Sequence, residues 1–557
     1  VNENLAMAMR GFVYPLLPEI LLVVVALVLF LFGTNKVSRH VWGLFTLLGL
    51  AAAAVALVLV RRTVPFVEDQ SDAEVVNSLR YASPVLLTQL AFLFRVLALA
   101  TGFLLVLLGW DEGGEEHPAE YFACLLVVTA GVGLTAAAND LITLFLALEL
   151  VSIPTYLLLY LPRVNAASQE AAVKYFLLSV FSSALMLFGF SYLYGLTGTM
   201  NIPTILETLS NGQMARGELP PWRGMVLVAL VMIVAGLGFK ITAVPFHFYA
   251  PDVYQGTTTP SAALLAFVPK IIGFAALIKL LGFTGGEATA QALGTQVPVL
   301  LWIMAAVTMS LGNILALWQT NLKRLLAYSS VAHAGYMLIG LAVAPRLLGN
   351  EGAAGAAVGG IEATLFYLVG YGAMTLGAFA VLHLLSQAGK PVENEEDIVG
   401  LGKTHPLMAL SMTVFLLSMI GIPLTVGFAG KALLFLDALG VNNNRLEGLT
   451  KEQAAQVAEQ ARLYGVLALI GAINAAIAAW YYLRVLSAMY LREAIEPLPP
   501  LRRTPALGTL VVCVALTLTL GVLPRLALVP IQQAVRSKVD LGQAKVAAPP
   551  ADPVASR

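Results

Sequence analysis

The sequence predicts an all-α polytopic membrane protein of about fourteen transmembrane helices, several of them broken. Composition is the first ground: of 557 residues 59% are hydrophobic and only 11% charged, with mean hydropathy +0.83. A soluble globular domain carries about a quarter charged residues. Second, apolar runs long enough to cross a bilayer recur along the whole chain. Third, lone ionisable residues sit inside those runs. Glu149 lies within LITLFLALELVSIPTYLLLYL and Lys240 within VLVALVMIVAGLGFKITAVPF. A charge at the hydrocarbon centre costs about 2.5 kcal/mol or more, so such residues mark an ion or proton route.

Windows of about 20 apolar residues place helices near residues 16–34, 41–60, 83–109, 121–138, 140–161, 170–196, 225–248, 259–282, 298–318, 322–344, 360–386, 406–438, 463–491 and 506–529. The first run is trailed by Lys36 and Arg39 and has no small-residue cleavage site. It reads as a retained first helix and not as a signal peptide. An even number of spans puts both termini on one side. The Lys/Arg bias is diluted by loops that also carry acids, RRTVPFVEDQSDAEVVNSLR and DEGGEEHPAE, and the expected side is outside the cytoplasm. From about Arg536 the chain is polar and rich in Ala and Pro, which predicts a disordered tail over 536–557.

Two spans carry helix breakers beside a lysine. The seventh has Gly236 and Gly238 before Lys240 and Pro245 after it; the twelfth reads GIPLTVGFAGK, with Pro423, Gly427 and Gly430 ahead of Lys431. Proline removes a backbone donor and glycine loosens the turn, so both helices are expected to break near mid-membrane. Lys240 and Lys431 are 191 residues apart, and the same shift lays Tyr175-Phe176-Leu177 on Phe366-Tyr367-Leu368. That offset suggests an internal duplication of a five-helix unit.

The candidate proton-transfer residues follow from these placements. Ser152, Thr155 and Tyr156 share the helical face of Glu149 and make a polar stripe that points at protein or water, not lipid. A Glu–Lys pair that can separate changes its proton affinity with geometry; the competing account is a static ion pair that only fixes packing. His247 stands seven residues beyond Lys240, on the same face if the helix continues, either as a relay or as a structural histidine. Lys270 follows Pro269 in mid-helix and is the next stop, whereas Lys279 is placed to snorkel. Lys174 is placed to approach Glu149, with snorkelling as the rival account. His333, near Ser329, Ser330 and Tyr336, lies mid-span in the tenth helix, between the two halves. Arg95 reads as a packing charge paired with Glu19. Glu362, Tyr367 and Tyr371 give the eleventh helix a further polar face.

Several chemistries are excluded. GFAGKA lacks the leading Gly and the trailing Ser or Thr of a phosphate loop, and no dinucleotide-binding GxGxxG in a βαβ setting occurs. Cys124 and Cys513 are far apart, and the six histidines show no pairing suited to haem. Acidic and basic residues balance at 32 each, which points to no nucleic-acid partner. No metal or cofactor is expected in the chain, and its energy must come from a partner or an ion gradient.

The strings NDLITLFLALELVSIPTYLL, KYFLLSVFSSALMLFG, GFKITAVPFHFYAPDVYQGTTTPSAALLAFVPK, NLKRLLAYSSVAHAGYMLIG and GIPLTVGFAGKALLF together resemble the antiporter-like membrane subunits of respiratory complex I, NADH-quinone oxidoreductase, most closely the N-type subunits. The resemblance covers roughly residues 120–490. It implies fourteen helices with two inverted five-helix repeats, at 121–282 (helices 4–8) and 298–491 (helices 9–13). A three-helix segment over 1–120 precedes them and a last helix over 506–529 follows. By motif it assigns proton transfer to Glu149, Lys240, Lys270 and Lys431. M-type subunits carry a glutamate where Lys431 stands, and L-type subunits add a long lateral helix for which the C-terminal residues leave little room. The chain departs from the pattern in its acidic loops near 61–80 and 111–120 and in a joint rich in Arg and Pro at 492–505. The resemblance further implies a bacterial inner-membrane subunit in contact with the lipid bilayer and with K-, M-, L- and J-type subunits. FMN, iron–sulfur clusters and quinone would be held by partner subunits, and NADH would not bind this chain directly. Alternative readings are a subunit of a multi-subunit cation/proton antiporter or membrane-bound hydrogenase, and a membrane scaffold that conducts nothing.

Overall fold

The computed structural model describes residues 13–35, 37–70, 73–112, 117–161, 165–214, 223–281, 296–347, 358–387, 391–440, 451–493, 499–502 and 504–536. The expected tail over 536–557 lies outside them, apart from Arg536. Helices dominate: α1 Leu17–Phe32, α2 Arg39–Thr63, α3 Ala73–Ala82, α4 Gln89–Leu108, α5 Pro118–Ala137, α6 Leu141–Tyr160, α7 Ala166–Thr197, α8 Ile202–Met214, α9 Arg223–Lys240 and α10 Ala250–Gly256. They continue as α11 Thr259–Leu280, α12 Gln296–Leu317, α13 Leu322–Leu347, α14 Gly360–Ser386, α15 Pro406–Ile420, α16 Val426–Gly440, α17 Lys451–Leu491, α18 Ala506–Val522 and α19 Arg525–Arg536. No strand is found among the described residues. Three isolated bridges, Val85 with Ala138, Asp140 with Asn201 and Asn321 with Asn394, pin the connections.

Among the described residues ten helices are long and apolar enough to cross a bilayer, or eleven if the bent pair α18–α19 counts as one span. The sequence expectation of about fourteen includes three segments that are shorter apolar helices here, Leu17–Phe32, Gly224–Lys240 and Pro406–Ile420. At about 1.5 Å of rise per residue these fall short of a hydrocarbon core of about 30 Å.

Local sequence explains where the helices begin. Asp140 caps α6 by accepting the Thr143 N–H at 2.7 Å, Asn165 caps α7 through the Ser168 N–H at 2.8 Å, and Thr88 caps α4 through the Ala91 N–H at 3.1 Å. The breakers act as expected. α9 stops at Lys240 and the chain resumes helix only at Ala250; α15 stops at Ile420 and α16 starts at Val426. The last span, expected to be continuous over 506–529, is instead bent by 79° between α18 and α19. Pro524 sits at the joint, where it has no N–H to offer and pushes Leu523 out of helical backbone. Residues 73–82, mostly within the acidic loop expected near 61–80, form α3, and residues 202–214, between two predicted spans, form α8. There Tyr81 donates to Glu207 at 2.6 Å, and burial together with that bond pushes its hydroxyl up to about 12.

Burial ranks the helices. Every residue in the apolar window of α11 is buried, and 94% of it in α13 and in α14, against 39% in α7 and 33% in α17. α11, α13 and α14 are therefore the protein-enclosed centre, and α7 and α17 turn more of their surface outward.

At the N-terminal side Arg95 on α4 meets Glu19 on α1 at 2.8 Å, with a second contact at 3.1 Å, both side chains being buried. This is the pairing expected from sequence. Glu19→Leu strands the guanidinium and should destabilise the fold by about 3–5 kcal/mol, whereas Glu19→Leu with Arg95→Leu should recover most of that loss. Thermal unfolding of the detergent-solubilised protein measures both.

Candidate functional site

Glu149 and Lys240 meet, from α6 and the end of α9. Their charged atoms lie 3.9 Å apart, Lys240 1% and Glu149 17% exposed. The ammonium also donates to Ser152 Oγ at 2.6 Å and to Ser179 Oγ at 3.2 Å, and the carboxylate accepts from Ser183 Oγ at 2.5 Å. The pair is thus loose as an ion pair and tight as a hydroxyl-solvated one. Ser152 was legible as part of the Glu149 stripe; Ser179 and Ser183, contributed by α7, were not.

The break after Lys240 supplies the next group. Thr242 takes φ +59°, a region that a β-branched residue enters only when its surroundings hold it there. Lys270, fully buried on α11, donates to Thr242 Oγ1 at 3.0 Å and to Ser330 Oγ on α13 at 2.5 Å. Gly273, one turn further on, lets α11 touch the broken end of α9: a Cβ there would meet Ile241 at 2.4 Å and Lys240 at 3.5 Å.

From Ser330 the polar groups run along α13. Ser329 hydrogen-bonds Tyr482 of α17. His333 contacts Tyr367 of α14 through Nδ1 at 2.6 Å and Tyr482 through Nε2 at 3.3 Å. Tyr336, one turn on, lies with its ring centroid 4.6 Å from the Lys431 ammonium. Lys431 in turn donates to the carbonyls of Met419 and Ile420 at 2.7 and 3.1 Å, satisfying the end of α15 that the break exposes. Tyr367 reaches this point because Gly430 has no side chain; a Cβ there would lie 2.3 Å from its ring. Glu149, Lys240, Lys270, His333 and Lys431 are therefore brought into one file of successive clusters, each lined by Ser, Thr or Tyr side chains; the Tyr371 ring lies between two of them, 5.6 Å from the Lys270 ammonium and 5.2 Å from the His333 ring.

Three expectations are corrected. Lys174 does not approach Glu149: it pairs with Glu170 at 2.6 Å and with Asp252 at 3.0 Å, and Asp252 is held from its other side by Arg324 at 2.7 Å. Lys174 lies too near the start of α7, and the half-helix α10 presents a carboxylate to it there. His247 does not share a helical face with Lys240, because α9 ends at Lys240; it sits half-buried in the turn before α10, its buried Nδ1 without a partner. Lys279 does not snorkel. It donates to the Ala138 carbonyl at 2.5 Å, a group left open where α5 ends. Asp252 itself was missed although it stands in HFYAPDVYQG, since nothing in that string says which neighbours it meets.

Among the described residues no group of three His, Cys, Asp or Glu side chains is placed to hold a metal ion, and Cys124 and Cys513 are buried free thiols.

A many-helix membrane bundle whose two broken helices each end against a buried lysine, with hydroxyls filed between them, defines an antiporter-like membrane protein. Residues 138–450 match the family model for the transmembrane region of NADH:quinone oxidoreductase and Mrp antiporters. NADH-quinone oxidoreductase subunit N of Trichlorobacter lovleyi is 36% identical over 527 residues, covering 94% of this chain and 96% of that one. A chain of respiratory complex I from Thermus thermophilus superposes with TM-score 0.68 at 31% identity, covering 92% of this chain and 98% of that one. A chain of the Mrp complex from Dietzia sp. DQ12-45-1b shares the fold, with TM-score 0.70 at 20% identity over 97% of this chain and 99% of that one. The chain belongs to the NADH-quinone oxidoreductase subunit N family, within the wider NADH:quinone oxidoreductase/Mrp antiporter family. It is a multi-pass membrane protein.

Because Lys431 closes the end of α15, Lys431→Met should leave one buried and one part-buried carbonyl without this partner and cost about 1–3 kcal/mol, while Lys431→Arg should keep most of that stability. Comparing the thermal midpoints of the two purified variants tests it.

Proposed function

We propose that the chain is a proton-translocating membrane subunit of a bacterial NADH-quinone oxidoreductase, coupling quinone reduction elsewhere in the complex to proton transfer along its buried file. The observation that carries this reading is the succession of polar clusters around Lys240, Lys270, His333 and Lys431, all four side chains being buried, with Glu149 set against the first of them. Such groups are tolerated in a membrane core where they face one another or water, and they are the usual elements of proton relays.

Geometry supplies the switch. While Glu149 is near, its charge favours the Lys240 ammonium; moving the two apart removes that support, and the proton is better placed on Lys270. Lys270 passes it by way of Ser330 and the His333–Tyr367–Tyr482 cluster toward Lys431. Protons are taken up from the cytoplasm near Lys240 and Lys270 and released near Lys431. Segments 121–282 and 298–491 act as the two half-units, and Lys174 and His247 tune the first from its edge. The trigger is electrostatic and comes from the distant quinone site.

The chain works in the inner membrane beside K-, M-, L- and J-type subunits. FMN, iron–sulfur clusters and quinone belong to other subunits, NADH does not bind here, and no step requires a cofactor in this chain. Purifying the complex by a tag on this chain should bring flavin- and iron–sulfur-bearing subunits with it.

Lys240→Ala and Glu149→Gln, each in an otherwise assembled complex, should slow proton transfer through this chain by about 100-fold and so lower the protons pumped per quinone reduced. The acidification of inverted membrane vesicles, divided by quinone reduction, measures it; an unchanged ratio would mean a scaffold.

A further inference from the structure

Two acidic side chains lie beyond the Lys431 end of the file and take no part in the relay above. Asp437 is on α16, where Gly427, Gly430, Lys431, Leu434, Asp437 and Ala438 form the buried stripe. It stands six residues past Lys431, about 9 Å further along the helix. Asp437 is 2% exposed, and its Oδ2 is buried without a hydrogen-bond partner. It also has no ion-pair partner among the described residues. Glu362, 6% exposed, lies in the first turn of α14 and within electrostatic range of Asp437. Both stand at helix ends, α16 closing at Gly440 and α14 opening at Gly360, and so near one face of the bundle.

A purely structural role explains this arrangement poorly. A buried carboxylate with a free oxygen and no cation is among the least favourable groups a membrane protein can hold. Position adds to the difficulty, because the last turn of a helix disfavours negative charge. A carboxyl in that place escapes both penalties by holding a proton.

We propose that Asp437 is the proton-exchange port between Lys431 and the aqueous face. The proposal rests on the reading of the chain as a proton conduit and gives that conduit its outer end. Asp437 as a carboxylic acid releases its proton to the aqueous phase and becomes a carboxylate. The Lys431 ammonium then passes a proton to that carboxylate by way of water, becoming a neutral amine and restoring the acid. The free Oδ2 of Asp437 is the accepting atom. On the α14 side of this path stand Tyr367, which abuts Gly430, and Thr364, whose hydroxyl would touch a side chain placed at Gly340, where Leu434 also lies.

Two measurements on the assembled complex in its membrane test the port. The first uses no variant: dicyclohexylcarbodiimide, an apolar reagent that modifies protonated carboxyls buried in membranes, should label Asp437, located by peptide mass spectrometry. The second is proton pumping per quinone reduced, which should fall in Asp437→Asn and Asp437→Leu, where transfer through this chain slows by roughly tenfold or more, and return in Asp437→Glu. Labelling of Asp437 together with rescue by Glu supports the port. Absence of labelling, with Asp437→Leu pumping like the wild type while Lys431→Ala does not pump, overturns the port and leaves the conduit standing. Lys431→Ala pumping like the wild type would instead remove the conduit reading itself.

Discussion

Keeping ammonium groups in the middle of a membrane protein is the constraint from which the rest of the structure follows. Lys240, Lys270 and Lys431 are each at most 4% exposed, and among the described residues only Lys240 of the three has a carboxylate within ion-pair distance. Their compensation comes from hydroxyls and from main-chain carbonyls. A serine or threonine hydroxyl can accept from an ammonium and donate elsewhere, so it steadies a charge without trapping it. A close, dry ion pair would hold its proton far more firmly.

The broken helices belong to the same solution. A continuous helix satisfies its own carbonyls and has none to spare in mid-membrane. Stopping α15 at Ile420 frees the carbonyls that Lys431 uses, and stopping α9 at Lys240 turns Thr242 toward Lys270. Three helices that are almost wholly enclosed, α11, α13 and α14, keep lipid away from these defects. The ion network of Lys174, Asp252 and Arg324 holds the half-helix α10 against α7 and α13, so the irregular segment is fastened at its outer end. The fold is also found in an Mrp complex chain at 20% identity, where the likeness carries architecture alone. What this chain does rests on its own side chains and on its much closer subunit N relatives.

Much of this was readable from the residues. Glycine and proline around Lys240 and Lys431 announced both breaks, because the covalent limits of those residues hold in any fold. Arg95 could be matched to Glu19 because a buried charge needs a partner and few acids were available. The failures have a common cause. Lys174, His247 and Lys279 were placed by helical periodicity or by distance along one helix, yet each is fixed by something from another segment: Asp252 on α10, the turn that follows α9, the open end of α5. The kink at Pro524 was missed because hydropathy averages over a window and does not register one absent N–H.

The sequence by itself determined that this is a many-helix membrane protein, where two helices break, and which ionisable residues lipid would reject, since each follows from the composition and covalent chemistry of a short stretch. Only the tertiary structure decided which faces meet. α11 and α17 are similarly apolar by hydropathy, yet one is wholly enclosed and the other mostly turned outward. Only in three dimensions do Ser179 and Ser183 become the solvation shell of the Lys240–Glu149 pair, or Tyr367 and Tyr482 the clamp on His333. The physical reason is that hydropathy measures what a residue avoids, whereas a hydrogen bond requires a particular partner within about 3 Å, and that partner comes from a helix distant in sequence.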